Sequence, residues 1–388
     1  MRPVELAEIE KQAHKMLVAC ALWHESSRDM PLEMRADLAV KIIEGCLFDY
    51  FYRLITTDIK PPVFYRIRQN RAHYQQLTSY VLGRLEPVLA ATGPFWERLR
   101  AWHDSTGQEG ELDRRILAAA HLFASHWEFQ LIRPHNEFDE EMPGIAQSFQ
   151  DDLARYRDLP GMAMLLSAGN ALARFGNLCG QLRFQIRWTQ APRLPATSVL
   201  GHMFIVAACA YMYSLAVNAS PARKANNFFS GLFHDFPELL TRDIISPVKK
   251  SSPGLQDIIR EYEKSELERR ILGPLRKEGF ASFASQIGYY LGLETGSEFQ
   301  DCCRMNGQIV RLEGFGAVQA MDANALDAKD GQLLKTCDLL AAFLEAHTSI
   351  RNGVSSPQLL EARERLKTEL GQLAPDCLQI GALLADFD

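Results

Sequence analysis

The chain has 388 residues, of which 47% are hydrophobic and 23% are charged, and its formal net charge is −6. This length allows two domains of ordinary size, each with its own core. The acidic balance argues against a surface that coats nucleic acid, and the eight scattered cysteines are typical of reduced thiols in a cytoplasm. We therefore expect a cytoplasmic globular protein without a nucleic-acid partner.

Helical periodicity dominates the chain. Apolar residues recur at intervals of three and four along nearly every long segment, and Pro or Gly separates the segments. Alternating patterns typical of strands are rare, so the predicted fold class is all-α. The predicted helices cover Val4–Trp23, Pro31–Leu54, Ala72–Leu89, Asp113–Phe129, Gly144–Tyr156, Met162–Leu178, Leu200–Val217, Leu255–Glu278, Gly331–His347 and Pro357–Gln372.

One predicted helix, from residue 199 to residue 217, is apolar enough along its length to span a membrane. It contains His202 near its start, many small residues, and no basic residues at its ends. These features favour a buried core helix, and we expect no membrane partner.

An internal repeat relates two distant segments. Residues 46–63 align without a gap to residues 231–248, and nine positions are identical. Similar segments also begin at His14 and His202, and the segment around His121 is similar to the one around Asp338. The sequence therefore predicts two copies of one helical domain.

The predicted domains cover residues 1–160 and 161–388, and the second carries an insertion around residues 278–331. The two copies differ at the positions where a metal or catalytic site would lie. Opposite the pair His234-Asp235 the first copy has Asp49-Tyr50, and opposite Glu238 it has Arg53. We expect a first copy without a metal site, which acts as a scaffold. An alternative is an effector pocket near His14, Tyr50, Arg53 and His121.

Four polar residues of the second copy lie in apolar stretches: His202, His234, Asp235 and Asp338. A buried polar group costs free energy unless it finds a partner, so such residues favour a shared site, although His202 alone could be a satisfied core histidine. Two imidazoles and two carboxylates suit one divalent metal such as Mn, Co, Fe, Ni or Zn. The sequence therefore predicts a metal site.

Glu238 follows His234 by four residues, which on a helix places both on one face. A carboxylate beside a metal site can orient or deprotonate an attacking water. Asp243 is identical to Asp58 in the first copy, so a structural role in the following turn and a role in the site both remain open.

The order H…HD…D resembles that of the HD-domain metal-dependent phosphohydrolases. Residues 234–249 are similar to the pattern H-D-x-x-E-x-x-T-x-D-x-x-x-P-V-K of the bacterial 5′-deoxynucleotidase branch. Arg187-Trp188, ahead of His202, and Asp338 in a late apolar helix extend the likeness over residues 180–372.

The resemblance implies tandem HD-like helical domains, the second of which binds one divalent metal, Mg included, through the four predicted ligands. It also implies release of phosphate from nucleoside 5′-monophosphates, especially deoxynucleotides. An activated water would attack the phosphate, and Glu238 would orient or deprotonate that water. Arg187 and Trp188 would contact the nucleotide, and Lys249 could contact the phosphate. The alternatives are hydrolysis of another phosphate ester or a phosphoanhydride, and a non-catalytic nucleotide sensor.

This sequence departs from the family pattern in two segments. The segment before the first His is Thr-Ser-Val-Leu-Gly at residues 197–201, where the family usually has polar and acidic residues, and Arg242 stands where the family usually has Gly. The insertion could form a lid or a new specificity wall. Since enzymes of this branch are commonly homodimers, the first copy could replace a second subunit and give a pseudo-dimer in one chain. A further homodimer remains possible.

Overall fold

The computed structural model describes residues 5–57, 59–104, 110–242, 252, 254–373, 375 and 378–387. The first half of the chain is helical. Its helices are α1 (Glu8–Ser26), α2 (Leu32–Thr56), α3 (Pro61–Gln69), α4 (Arg71–Leu89), α5 (Pro94–Asp104), α6 (Leu112–Ile132), α7 (Met142–Ala154), α8 (Met162–Leu165) and α9 (Ala171–Gln181).

The second half is also mainly helical, and its described part includes one β-hairpin. Its elements are α10 (Val199–Ala216), α11 (Pro221–Phe233), α12 (Glu238–Thr241), α13 (Leu255–Leu267), α14 (Gly273–Lys277), α15 (Ala281–Tyr290), β1 (Cys302–Met305), β2 (Gln308–Arg311), α16 (Phe315–Ala320), α17 (Gly331–Arg351), α18 (Pro357–Leu373) and α19 (Ile380–Ala385). The predicted all-α class is confirmed.

Local capping residues start the two central helices of the second half. Ser198 precedes α10, and its side chain accepts a hydrogen bond from the Gly201 N–H at 3.1 Å. Ser220 precedes α11 and accepts from the Arg223 N–H at 3.3 Å, with Pro221 at the first helical position. Such caps satisfy N–H groups that have no partner within the helix, so the sequence itself sets where both helices begin.

One apolar core extends through both halves of the chain, because helices α1, α2 and α6 share it with α10 and α11. Trp23 stacks on Phe229 with ring centroids 5.5 Å apart. The fully buried Tyr211 donates its hydroxyl to Glu44 at 2.8 Å. The apolar core therefore continues across the predicted domain boundary near residue 160. The division of the chain into two copies stays a prediction.

Helix α10 is the one helix of the described chain that is long and apolar enough to cross a membrane. In the structure 61% of its residues are buried inside the molecule. It packs against α1, α11 and α17. The predicted placement of this segment as a core helix is confirmed.

Most of the other predicted helices are present within a few residues of their expected ends. The single helix expected over residues 162–178 was wrong. Helix α8 ends at Leu165, Gly169 in the following turn adopts a φ of +85°, and Asn170 caps α9 by accepting from the Leu172 N–H at 2.9 Å. The structure therefore has two helices here, α8 and α9.

The hairpin β1–β2 lies in the predicted insertion and was not expected from the sequence. Its strands pair in antiparallel register, from Cys302 opposite Arg311 to Met305 opposite Gln308. The turn between them is Asn306-Gly307, and both residues have positive φ. An Asn-Gly pair favours this two-residue turn, so the hairpin did have a sequence signal.

A buried arginine fixes the insertion to α11. The guanidinium of Arg223 donates to Asp330 at 2.6 and 2.7 Å and to Asp322 at 2.9 Å. Arg223 itself is fully buried. Paired and hydrogen-bonded charges of this kind specify one arrangement, so the insertion has a defined position on α11.

Candidate metal centre

Three helices of the second half bring the predicted ligands together. His202 lies in the first turn of α10, His234 follows the last residue of α11, and Asp338 lies in α17. Gly231 lets α10 and α11 approach, because a Cβ atom there would lie 2.9 Å from the Cα atom of Ala207. Only glycine avoids this backbone clash, so it sets the spacing between the two histidines.

The four predicted ligands converge. His202 Nε2 lies 3.2 Å from Asp338 Oδ1 and 3.8 Å from Asp235 Oδ2. His234 Nε2 lies 3.2 Å from Asp235 Oδ2 and 3.9 Å from Asp338 Oδ1. Potential ligand atoms of His202, His234 and Asp338 all lie within 4.8 Å of one another. The structure therefore contains a possible metal site.

The outer nitrogens of the two imidazoles face other partners. His234 Nδ1 hydrogen-bonds to the Gly231 carbonyl at 2.8 Å, and the carbonyl can only accept, so Nδ1 carries the proton. In the neutral ring Nε2 then keeps its lone pair, and this buried atom has no hydrogen-bond partner among the described residues. His202 Nδ1 lies 3.3 Å from Glu345 Oε1. This arrangement fits metal binding through both Nε2 atoms.

Four carboxylates lie around the centre: Asp235, Glu238, Asp338 and Glu345. The nearby cationic side chains include Arg187 and Lys335. Arg187 Nη1 donates to Asp235 Oδ2 at 3.0 Å, and Lys335 Nζ donates to Asp338 Oδ2 at 2.8 Å. The carboxylate oxygens of Asp235 and Asp338 are ligands that a divalent cation accepts beside imidazole nitrogens.

The ionisation of these groups follows from their contacts. Burial alone would lower the pKa of His234, but the Asp235 carboxylate and then Asp338 raise it to about 9. Burial likewise raises the pKa of Asp235, yet His234 and Arg187 hold it well below its usual range. Asp235 is therefore ionised at neutral pH, and its oxygens are available as ligands.

Glu238 does not share a helix with His234, and that expectation was wrong. Helix α11 ends at Phe233, a turn follows, and Glu238 begins the short helix α12. Pro237 has no N–H and so cannot continue the hydrogen bonding of α11. The turn nevertheless leaves Glu238 buried, with its N–H donating to the Asp235 carbonyl at 3.0 Å.

Arg242, the residue that replaces the family's usual glycine, ends α12 with a φ of +67°. Glycine adopts this left-handed conformation at no steric cost, whereas a residue with a Cβ atom is strained in it. The structure thus gives a backbone reason for glycine at this position. Asp243 and Lys249, the other predicted residues of this segment, lie outside the described residues.

The predicted substrate residues Arg187 and Trp188 lie against the centre. Burial lowers the pKa of Arg187, but Glu345 and Asp235 raise it above its usual value, so the guanidinium stays charged. The Trp188 N–H donates to Glu345 Oε2 at 2.7 Å. Trp188 also adopts a φ of +61°, a strained conformation for an aromatic residue that is frequent at functional sites.

The sequence interpretation missed two residues of the centre, Glu345 and Lys335. Glu345 is buried and follows Asp338 by seven residues in α17, which places both on one helix face. A carboxylate in an apolar helix was the signal that identified Asp338, and the same signal would have identified Glu345. Lys335 offered no such signal, because a lysine one helical turn from a buried residue usually keeps its charged end in water.

An ion pair occupies the position of the first half that the predicted repeat aligns with the centre. Lys15 Nζ lies 3.4 Å from Asp49 Oδ2, and the Trp102 N–H donates to Asp49 Oδ1 at 2.9 Å. Asp49 is the residue opposite His234 in the predicted repeat. Here the ammonium of Lys15, which is buried, supplies the positive charge beside the carboxylate.

Residues 179–367 match the family model of the HD domain. No curated protein and no solved structure matches the chain. The matched region begins in α9, ends in α18 and contains all four converging ligands together with Glu345. The family match and the histidine–aspartate cluster together support an HD-domain protein.

Proposed function

We propose that the chain is a divalent-metal-dependent phosphohydrolase that releases phosphate from nucleoside 5′-monophosphates, with deoxynucleotides as the preferred class. One observation carries the proposal: two imidazole Nε2 atoms and the carboxylates of Asp235 and Asp338 converge, while the outer nitrogen of each ring faces another partner. HD domains are typically metal-dependent hydrolases, and the region that matches the family contains this cluster.

His202, His234, Asp235 and Asp338 would hold the metal. A divalent cation in such a site polarises a phosphoryl oxygen and makes water more acidic. The residues around the metal would have different roles in the reaction, which follow from their contacts.

Glu238 would orient the attacking water and accept its proton, because it is buried and its backbone is tied to Asp235. The water oxygen forms the new bond to phosphorus, the ester P–O bond breaks, and the alcohol leaves with a proton. No covalent enzyme intermediate is required.

Two cationic side chains would bind the reacting phosphate. Arg187 holds Asp235 through Nη1, and its Nε atom is buried without a hydrogen bond. Lys335 contacts Asp338, and 38% of its side chain is exposed. When the carboxylates bind a metal, both cations can turn toward the phosphate oxygens. The nucleoside would lie beside Trp188, which borders a cavity of about 360 Å³.

The test is phosphate release by metal-stripped protein after addition of Mn²⁺, Co²⁺, Mg²⁺ or Zn²⁺. The substrates are deoxyribonucleoside and ribonucleoside 5′-monophosphates, 3′-monophosphates and pyrophosphate, and Asp235→Ala is the control. We expect release that needs metal, that is lost in the variant, and that is fastest with 5′-deoxynucleotides. Release only from pyrophosphate would overturn the substrate class, and no release in any mixture would overturn the proposal.

A further inference from the structure

The cavity beside the centre is lined by the loop of residues 186–196. Backbone hydrogen bonds close the base of this loop, from the Arg187 N–H to the Thr197 carbonyl at 2.9 Å and from the Val199 N–H to the Gln185 carbonyl at 2.8 Å. The far end of the loop is attached to α17, because Ser349 Oγ accepts from the Leu194 N–H at 3.0 Å. The cavity is therefore formed by a loop that is fixed at both ends.

Arg193 lines this cavity and lacks acceptors. Its guanidinium lies over the indole of Trp188 at 5.7 Å from the ring centroid. The Nε and Nη2 atoms of Arg193 are buried and have no hydrogen-bond partner among the described residues. Burying part of a guanidinium without acceptors costs free energy, and burial accordingly lowers the pKa of Arg193.

The carboxylate that interacts electrostatically with Arg193, Glu345, is already engaged. Glu345 accepts from the Trp188 N–H at 2.7 Å, and it lies 3.5 Å from Arg187 Nε and 3.3 Å from His202 Nδ1. One carboxylate thus faces three donors that belong to the centre. Arg193 therefore lines the cavity while two of its buried donors, Nε and Nη2, have no acceptor among the described residues.

The lining of the cavity suits an anion. It contains Arg187 and Arg193, no carboxylate among its described residues, and otherwise apolar or hydroxyl side chains and the indole of Trp188. A guanidinium edge binds an oxyanion through two parallel hydrogen bonds. Arg187 also contacts Asp235, so it lies between this cavity and the metal centre.

We propose that the cavity of loop 186–196 is a subsite for a second anionic group of the substrate, which Arg193 binds while the reacting phosphate lies at the metal centre. The inference rests on the proposed function and extends it. Nucleotides that carry a second phosphate or another oxyanion, away from the one that is removed, would bind more tightly than the plain 5′-monophosphates.

The experiment compares two substrates that differ only in the second anion: a deoxynucleoside 5′-monophosphate and the same nucleoside 3′,5′-bisphosphate. Wild type, Arg193→Ala, Arg193→Lys and the exposed control Arg155→Ala are assayed with the same metal. We expect Arg193→Ala to raise KM for the bisphosphate by roughly 10- to 100-fold with kcat nearly unchanged. KM for the monophosphate should stay within about twofold, Arg193→Lys should recover part of the loss, and Arg155→Ala should behave as wild type.

An equal loss with both substrates, or no loss with either, would overturn the subsite. Calorimetric titration of metal-free protein with the bisphosphate and with inorganic phosphate provides a readout that does not need hydrolysis. Bisphosphate binding that weakens in Arg193→Ala supports the subsite even if no substrate is turned over, which separates the two proposals. Loss of inorganic phosphate binding in Arg193→Ala, without discrimination between the nucleotides, would instead indicate an effector site.

Discussion

His202 and His234 both present Nε2 to the centre and have different partners behind the ring. A backbone carbonyl fixes His234, whereas the Glu345 carboxylate lies behind His202. The carbonyl belongs to Gly231 in the last turn of α11, directly before His234, so that ring is positioned locally. The ring of His202 depends on a side chain of another helix, α17. The two ligands should therefore respond differently to substitution of their neighbours.

Metal binding should release a proton from His234. In the metal-free protein its pKa of about 9 keeps the ring protonated at pH 7, and Nε2 must lose that proton to bind a cation. We expect roughly one proton released per metal at pH 7, and an affinity that rises with pH between 6 and 8. Calorimetry with Co²⁺ in buffers of different ionisation enthalpy measures this.

The matched variant for this measurement is Asp235→Asn. It removes the main charge that raises the pKa of His234, so the number of protons released should fall, along with the affinity. Metal binding by the wild type with no proton release at pH 7 would show that His234 is already neutral or is not a ligand.

Glu345 should act on the metal through His202. Replacement by Gln keeps an acceptor for the Trp188 N–H but removes the negative charge beside the imidazole. We expect Glu345→Gln to weaken metal binding by about 10- to 100-fold while the fold is retained. A Co²⁺ titration measures the affinity, with Glu364→Gln, a largely exposed carboxylate of α18, as the control. Equal affinities for the two variants would remove Glu345 from the site.

The spacing of α10 and α11 determines the geometry of the centre at the scale of the elements. We expect Gly231→Ala to destabilise the fold by roughly 1–3 kcal/mol, because the new Cβ atom meets the backbone of Ala207, which cannot give way as a side chain can. Gly83→Ala in α4 has no heavy atom within 4 Å and should be neutral or slightly stabilising. Urea unfolding of both variants measures the difference, and similar midpoints would contradict the close approach.

Much of the arrangement of the helices, and of the ligands that they carry, could be predicted from the sequence. Apolar periodicity located most helices, and the H…HD…D order identified four residues that the structure brings together. The helix end before His234 was missed because the expected four-residue spacing ignored Pro237. Glu345 was missed although a carboxylate in an apolar helix is a sequence signal. Arg193 was missed because its importance depends on what loop 186–196 contacts, and that contact is not encoded locally.

The two halves of the molecule share an apolar core, which limits how independently they can unfold. Tyr211 of α10 donates to Glu44 of α2, and Glu44 also accepts from Arg98 through both oxygens at 2.7 and 2.6 Å. Trp23 and Phe229 add an aromatic contact between the halves. Whether the halves are copies of one domain stays a prediction, but one apolar cluster is shared by both halves, while a second cluster lies within the second half, around α17.

We therefore expect the two halves to unfold together. Scanning calorimetry should show one transition whose calorimetric and van't Hoff enthalpies agree, because separating the halves would expose the common core. A bound divalent metal should raise the midpoint of that single transition. Two resolved transitions, of which metal shifts only one, would show that the halves are energetically independent.

The most direct test of the account is metal-dependent phosphate release by the whole chain. Metal-stripped protein receives one equivalent of Mn²⁺ or Co²⁺, and phosphate release from deoxynucleoside 5′-monophosphates is measured beside metal binding, for wild type and Asp338→Asn. We expect binding and hydrolysis to appear together in the wild type, and the variant to lose both. Tight metal binding with no hydrolysis of any phosphate ester or anhydride would contradict it and would leave a metal site without catalytic activity.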